Sequence, residues 1–353
     1  KFGIQGGLRL EDAHINTELT SFSATPPYST LTPHKQDYFR IYPTLFLTEK
    51  LSQTGTLQLS YSRRVSRPND RQLSPFLDVS NIQNYSQGNP NLLPEDTHSV
   101  ELSYINYWQS ITLTSSIYYR LTNDNIQQIV TPLTANTNLS TFENIKSASN
   151  SGYELIAKAT VIKGFDLTAN ANIYYRNIQG DPALNVLSSS GFSYNGNLTA
   201  NVKLTKKLGF QLRGDYQGKQ VTAQGSRLAI YGMDGGVKYD ATKSLSFSLN
   251  SRDIFNSRKF KSETFINSKK FIEDQDSQRR FATRAVLFTV AYHIGSNTPK
   301  KKDKDKDQNE LDTPNPEDPN GGTPTPGKKN ENQQGTLGVP PVSTTPNPPR
   351  GGQ

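Results

Sequence analysis

A period-two alternation of apolar and polar residues, recurring along residues 1–295, restricts this chain to β-structure. In 165–176, Phe165, Leu167, Ala169, Ala171, Ile173 and Tyr175 alternate with Asp166, Thr168, Asn170, Asn172, Tyr174 and Arg176. The stretch 192–204 sets Phe192, Tyr194, Leu198, Ala200, Val202 and Leu204 against Ser193, Asn195, Asn197, Thr199, Asn201 and Lys203. Successive side chains of a strand point to opposite faces, so each such segment has one apolar and one hydrophilic side. The pattern predicts twelve strands, at about 2–11, 37–48, 56–67, 97–107, 111–121, 151–163, 165–176, 192–204, 208–220, 228–240, 244–255 and 280–294. Most are about as long as a tilted strand must be to cross a bilayer.

The connections carry a second alternation. Short ones (LSQTG, WQS, KG, KKLG, ATKS) take turns with long ones at 12–36, 68–96, 122–150, 177–191, 221–227 and 256–279. One end of the sheet therefore has tight turns and the other has large loops, which is how outer-membrane barrels are built and which a soluble sandwich gives no reason for. The fold class expected is all-β, an antiparallel transmembrane β-barrel with about 12 strands in this chain. Its apolar face meets lipid, its polar face lines the lumen, and closure satisfies the strand edges. Aromatics near strand ends (Tyr107, Trp108, Tyr118, Tyr119, Tyr174, Tyr175) suggest two interfacial girdles.

Composition agrees. Only 33% of the 353 residues are hydrophobic, too few for a soluble core of this size, yet Tyr and Phe number 17 and 16, which disordered chains lack. No apolar run approaches the roughly 20 residues of a membrane helix. The absence of cysteine excludes disulfides, Cys-ligated zinc and thiol nucleophiles. The net charge of +8 is spread over many loops without an aromatic-basic stacking platform, so no nucleic-acid partner is expected. The first residues, KFGIQGGLRLED, have no signal-peptide core and read as a strand entered at full stride, which suggests a larger protein. After Gly295 lie 11 of the 21 prolines and a Lys/Asp run. Residues 296–353 are thus expected to be a disordered, extended tail on the short-turn, periplasmic side. A solvated spacer is the simple reading of it; a periplasmic partner or peptidoglycan is the sharper one.

The segments YFRIYPTLFLTEKLSQTGTLQLSYSRRVSRPNDRQLSPFLDVSN (38–81) and QGNPNLLPEDTHSVELSY (87–104) resemble the outer-membrane β-barrel family related to TonB-dependent receptors. So do Gly7-Leu8-Arg9-Leu10-Glu11, Ser251-Arg252-Asp253-Ile254-Phe255-Asn256 and the closing strand 284–294. The resemblance implies a barrel of about 22 strands with an N-terminal plug, of which this chain would be the C-terminal part. It also implies a TonB energy complex acting through an upstream plug that this chain does not contain. A stand-alone barrel of twelve strands is the other possibility. Functionally, uptake of a scarce solute through a plugged barrel comes first; a structural or assembly barrel binding a protein partner, or a passive pore, are the alternatives.

No motif points to an enzyme or to a cofactor. His14, His34, His98 and His293 are scattered without metal-ligand spacing, and neither G-x-S-x-G nor a phosphate loop occurs. The candidates for lumen- or ligand-facing residues are Arg64, Asp166, Arg176, Lys203, Arg213 and Asp215, each on the polar side of its strand. Arg63 is read as outward, toward anionic head groups, or as part of a solvated strand end. The Asp253–Asn256 element suggests a β-bulge at the rim, or simply the end of a strand.

Overall fold

The computed structural model describes residues 1–22, 29–134, 136–184, 186–267, 272–280 and 284–294; the tail expected at 296–353 lies outside them. In chain order the strands are β1 (Phe2–Phe22), β2 (Ser29–Lys50), β3 (Gly55–Ser66), β4 (Asn84–Ser86), β5 (Glu95–Tyr107), β6 (Ile111–Thr134), β7 (Thr137–Ile162), β8 (Phe165–Gln179), β9 (Ser189–Lys203), β10 (Leu208–Gln217), β11 (Gln220–Thr222), β12 (Gly225–Arg227), β13 (Ile230–Asp240), β14 (Leu245–Arg252), β15 (Phe260–Asn267), β16 (Ile272–Arg279) and β17 (Ala285–Tyr292). Among the described residues one short helix, α1 (Asp70–Leu73), and a 3-10 turn at Pro182–Leu184 accompany them.

The main sheet is an antiparallel up-and-down meander in the order β1-β2-β3-β5-β6-β7-β8-β9-β10-β13-β14-β17. These twelve are the twelve strands expected from alternation. Among the described residues β1 and β17 pair on one side only, so the sheet has two edges.

Register fixes the faces. Leu59 pairs with Leu102, Leu102 with Ile117, Ile117 with Tyr153, Tyr153 with Ile173 and Ile173 with Tyr194, one apolar row crossing six strands. Their neighbours in sequence form the polar face. The apolar row is open to its surroundings, with Ile117 63% and Ile173 57% exposed. A soluble protein would bury such a stripe, whereas lipid takes the place of a core for a barrel. From Ile111 to Tyr119 the strand rises about 27 Å, which at a tilt of about 40° spans about 20 Å, close to the apolar band of a transmembrane barrel.

The short turns are closed by hydroxyl side chains. Ser52 Oγ accepts from Gly55 N (2.7 Å), Thr205 Oγ1 from Leu208 N (3.0 Å) and Thr242 Oγ1 from Leu245 N (3.0 Å). The two-residue turn Lys163-Gly164 uses Gly164 at φ +87°, a conformation L side chains disfavour.

The long-loop end departs from expectation. Within the loops expected at 12–36 and 122–150, residues 12–22, 29–36, 122–134 and 137–150 continue β1–β2 and β6–β7, paired as far as Phe22↔Ser29 and Thr134↔Thr137. Above the lipid stripe neither face needs to be apolar, so the alternation that reveals a strand fades there. Residues 220–222, 225–227, 260–267 and 272–279 form a second sheet, β11-β12-β15-β16. The fully buried apolar residues gather at this end as well. Ile145, Ala148 and Ile178 make one cluster with Val221 and Leu184 against it; Ile129, Val186 and Ala223 make another. The QGNPNLLPE segment is architectural here. Gly88 N donates to Ser74 O (2.8 Å) beside α1, and a Cβ at Gly88 would sit 2.5–2.7 Å from three backbone carbonyls.

Candidate lumenal site

Of the aromatics assigned to the girdles, Tyr118 and Tyr174 lie on the polar face instead, 4% and 7% exposed. Adjacent residues of a strand cannot share a face, so Tyr119 and Tyr175 take the outward positions and their neighbours turn inward. There Tyr118 hydroxyl donates to Asn172 Oδ1 (2.9 Å), and the Arg120 guanidinium stacks 4.3 Å above the Tyr118 ring. Ser103 joins Ser116 (2.9 Å) and donates to Glu101 (2.8 Å); Asn170 donates to Glu154 (3.2 Å) and Gln211 to Asn201 (2.9 Å). This ladder of cross-strand polar contacts runs from β5 to β10.

Two charged assemblies stand at its ends. The first arises where β2 leaves β3. β2 runs with β1 from Ser29 to Lys50 but with β3 only from Thr44, because Pro43 has no N–H to extend the ladder. Arg63 fills the gap. It donates from Nη1 to Ile41 O (3.2 Å), in place of a backbone donor, and from Nε to both carboxylate oxygens of Asp96 (2.9 and 3.0 Å). Asp96 is 5% exposed, and Arg40 approaches it at 3.6 Å. Arg9 and Arg63 flank the Tyr42 ring, and Arg67 pairs with Glu11. In the register Arg63 shares the outward side of Leu59 and Tyr61, and its counterion Asp96 lies within the wall.

The second assembly is centred on Arg258. Its guanidinium grips Asp234 bidentately (2.6 and 3.0 Å) and also binds Asp215. It lies across Gly232, where a Cβ would stand 2.2 Å from Nε. The Asp253 carboxylate accepts from Ser257 N (2.9 Å) and Arg258 N (3.0 Å), and Asp253 and Asn256 have φ of 48° and 53°. The strand has ended at Arg252, so this element is a turn that sends Arg258 back over the polar face, not a bulge. Burial works against the Asp253 charge, but the N–H groups of Ser257 and Arg258 hold its carboxyl below the usual carboxylate range.

The six sequence candidates fall in separate places. Asp215 joins the Arg258 assembly, and Arg213 stands opposite Asp234 in the register. Asp166 and Lys203 are at the short-turn end, where Asp166 accepts from Thr160 Oγ1 (2.7 Å). Arg64, on the Ser60–Ser62 side of β3, is exposed. Arg176 sits under the β11 segment, whose Gln220 donates to Tyr174 hydroxyl (2.5 Å) and whose Val221 packs against Ile178. Asp96, Arg40, Glu11, Asp234 and Arg258 escaped sequence reading, since their partners lie 24–56 residues away with no local pattern linking them.

A family model described as "Outer membrane protein beta-barrel family" matches residues 1–292. No curated protein matches the chain. Among solved structures, the fold is similar to the ferric-catecholate import receptor Fiu from E. coli K12 (TM-score 0.56, 14% identity, 83% of this chain and 42% of that one). It is likewise similar to the ferric yersiniabactin uptake receptor FyuA from Yersinia pestis (0.56, 16%, 82% and 43%) and to the copper transporter OprC (0.56, 10%, 82% and 46%). At such identities the likeness is one of fold, and the chain spans less than half the length of each.

Proposed function

The chain belongs to the outer membrane protein beta-barrel family, and from that premise we propose that it forms part of the wall of a receptor-like transporter that takes up a scarce solute. One observation carries this reading: a continuous polar face, laddered by side-chain hydrogen bonds, lies beneath a long-loop end that is itself folded. A passive pore has no need of a structured cap packed onto its inner face, whereas a receptor uses one to hold solute. In this account the long loops face the exterior and residues 1–295 are the C-terminal portion of the barrel. The Pro/Lys/Asp-rich tail is periplasmic. The edges at β1 and β17 would be closed by further strands, since an edge in hydrocarbon leaves backbone groups unsatisfied. A plug upstream would couple the barrel to a TonB energy complex, and Arg64, Asp166, Arg176, Lys203, Arg213 and Asp215 would face plug or solute.

Single-channel recording of the full-length protein in planar bilayers tests the reading. A receptor-like transporter shows no steady conductance until its lumen is unblocked. A steady ohmic current from the untreated protein would instead make it a passive pore.

A further inference from the structure

The apolar face of the sheet is not smooth. Between β9 and β17 a groove of about 570 Å³ opens outward, within the size range of ligand pockets. Its floor is made of small residues: Gly235 on β13 pairs with Ser251 on β14, and neither fills its place in the outward row. Leu212 on β10 pairs with Gly235 and bounds one side; Val286 on β17 pairs with Ser251 and bounds the other. Phe210 and Leu249 line the part nearer the short turns. At the long-loop end Ile254 folds over the floor, its Cδ1 3.2 Å from where a Cβ of Gly235 would stand. A cation stands at that same end. Arg284 lies two residues before Val286, about 7 Å further along an extended chain, and its Nη1 donates to Ile254 O (3.5 Å). It is exposed, as are Arg279, which ends β16, and Arg280 after it. Among the described residues none of the three arginines is in an ion pair.

We infer that this groove is a binding site for one anionic, phosphate-headed lipid. The phosphate meets Arg284, the Ser251 hydroxyl donates to an ester carbonyl, and one acyl chain lies over Gly235. From the rim inward, the order of cation, hydroxyl and apolar trough matches the order of phosphate, ester and acyl chain. Any lipid tail could fill an apolar groove, but a guanidinium at its mouth selects a negative head group. A second copy of the chain is a poor occupant, because a self-complementary contact would set the same arginines against each other.

Fluorescence quenching by brominated lipids tests it. Because the chain has no cysteine, Val290→Cys, on the outward side just beyond the lower end of the groove, carries a single fluorophore. Ile117→Cys, on the same face but away from the groove, is the reference. The full-length protein is reconstituted at low ionic strength in phosphatidylcholine vesicles that contain a small fraction of either brominated phosphatidylglycerol or brominated phosphatidylcholine. At Val290→Cys phosphatidylglycerol should quench as though enriched at least about five-fold over the bulk, the effect of one cation beside an anionic head group. At Ile117→Cys the two lipids should quench equally. Adding Arg284→Gln should lower the enrichment about five-fold, and Ser251→Phe, which fills the floor with an apolar side chain, should abolish it. Equal quenching by the two lipids at Val290→Cys, or an enrichment that survives Arg284→Gln, overturns the site. So does a loss of quenching by both lipids as the protein-to-lipid ratio is raised, which would put a second copy in the groove. Arg284→Gln disturbs no backbone pairing, so the test stands even where Ser251→Phe fails to insert.

Discussion

Replacing Asp96 by Ala should destabilise the fold by about 3–5 kcal/mol, the range for removing one partner of a buried ion pair. Asp96 is the carboxylate on which Arg63 and Arg40 converge, and it is almost completely shielded from solvent. Without it two guanidinium groups remain in a wall segment where β2 and β3 no longer pair, and Arg63 loses the contact that positions it on Ile41 O. Asp96→Asn keeps the shape and two acceptor lone pairs but loses the charge, so its loss should be smaller. Arg63→Met combined with Asp96→Ala should recover part of the deficit, because the double variant no longer strands that cation. Urea unfolding of the protein in phospholipid vesicles reads all three. A wild-type midpoint for Asp96→Ala would mean that the cluster is solvated and contributes nothing.

A cation on the apolar face should cost nearly as much. Leu198 stands in mid-strand on β9, paired with Ala169 and Gly214 and 48% exposed. If its surroundings are hydrocarbon, Leu198→Arg should lose about 2–4 kcal/mol, as cations do at the bilayer midplane of a transmembrane barrel. The adjacent Asn197→Arg, on the polar face opposite Asp215, should stay within about 0.5 kcal/mol of wild type. The same unfolding measurement compares them, and equal effects at the two positions would contradict a lipid-facing stripe.

The twelve meander strands were legible because a lipid face imposes its alternation on every one of them; Phe165 to Arg176 shows it without a break. Where that constraint ends, legibility ends. β6 continues from Leu121 to Thr134 through NDNIQQIVTPLT, which has no consistent apolar side, and so it read as a loop. The Tyr118-Tyr119 and Tyr174-Tyr175 pairs misled for another reason: residue type alone suggests a girdle, while parity admits one member of each pair. Charged partners were least legible. Arg258 meets Asp215 and Asp234 only because the turn at Asp253 folds it back, and Arg63 turns toward Asp96 because a proline on another strand opens the gap. Both depend on three-dimensional proximity that no local spacing encodes.

The central claim is that one face of this sheet meets lipid and the other does not. Because the chain contains no cysteine, single cysteines along β9 provide a clean scan. The scan places them at Phe192, Tyr194, Leu198 and Ala200 on one face and at Ser193, Asn195, Asn197 and Thr199 on the other. Each is labelled with an environment-sensitive fluorophore in the membrane-inserted full-length protein and challenged in turn with a spin-labelled lipid quencher and with aqueous iodide. The account predicts strict alternation: lipid quenching at the even-numbered positions and none at the odd-numbered ones, whether or not iodide reaches them. Iodide quenching at Leu198 and Ala200 with no response to the lipid quencher, or an inverted alternation, would contradict it.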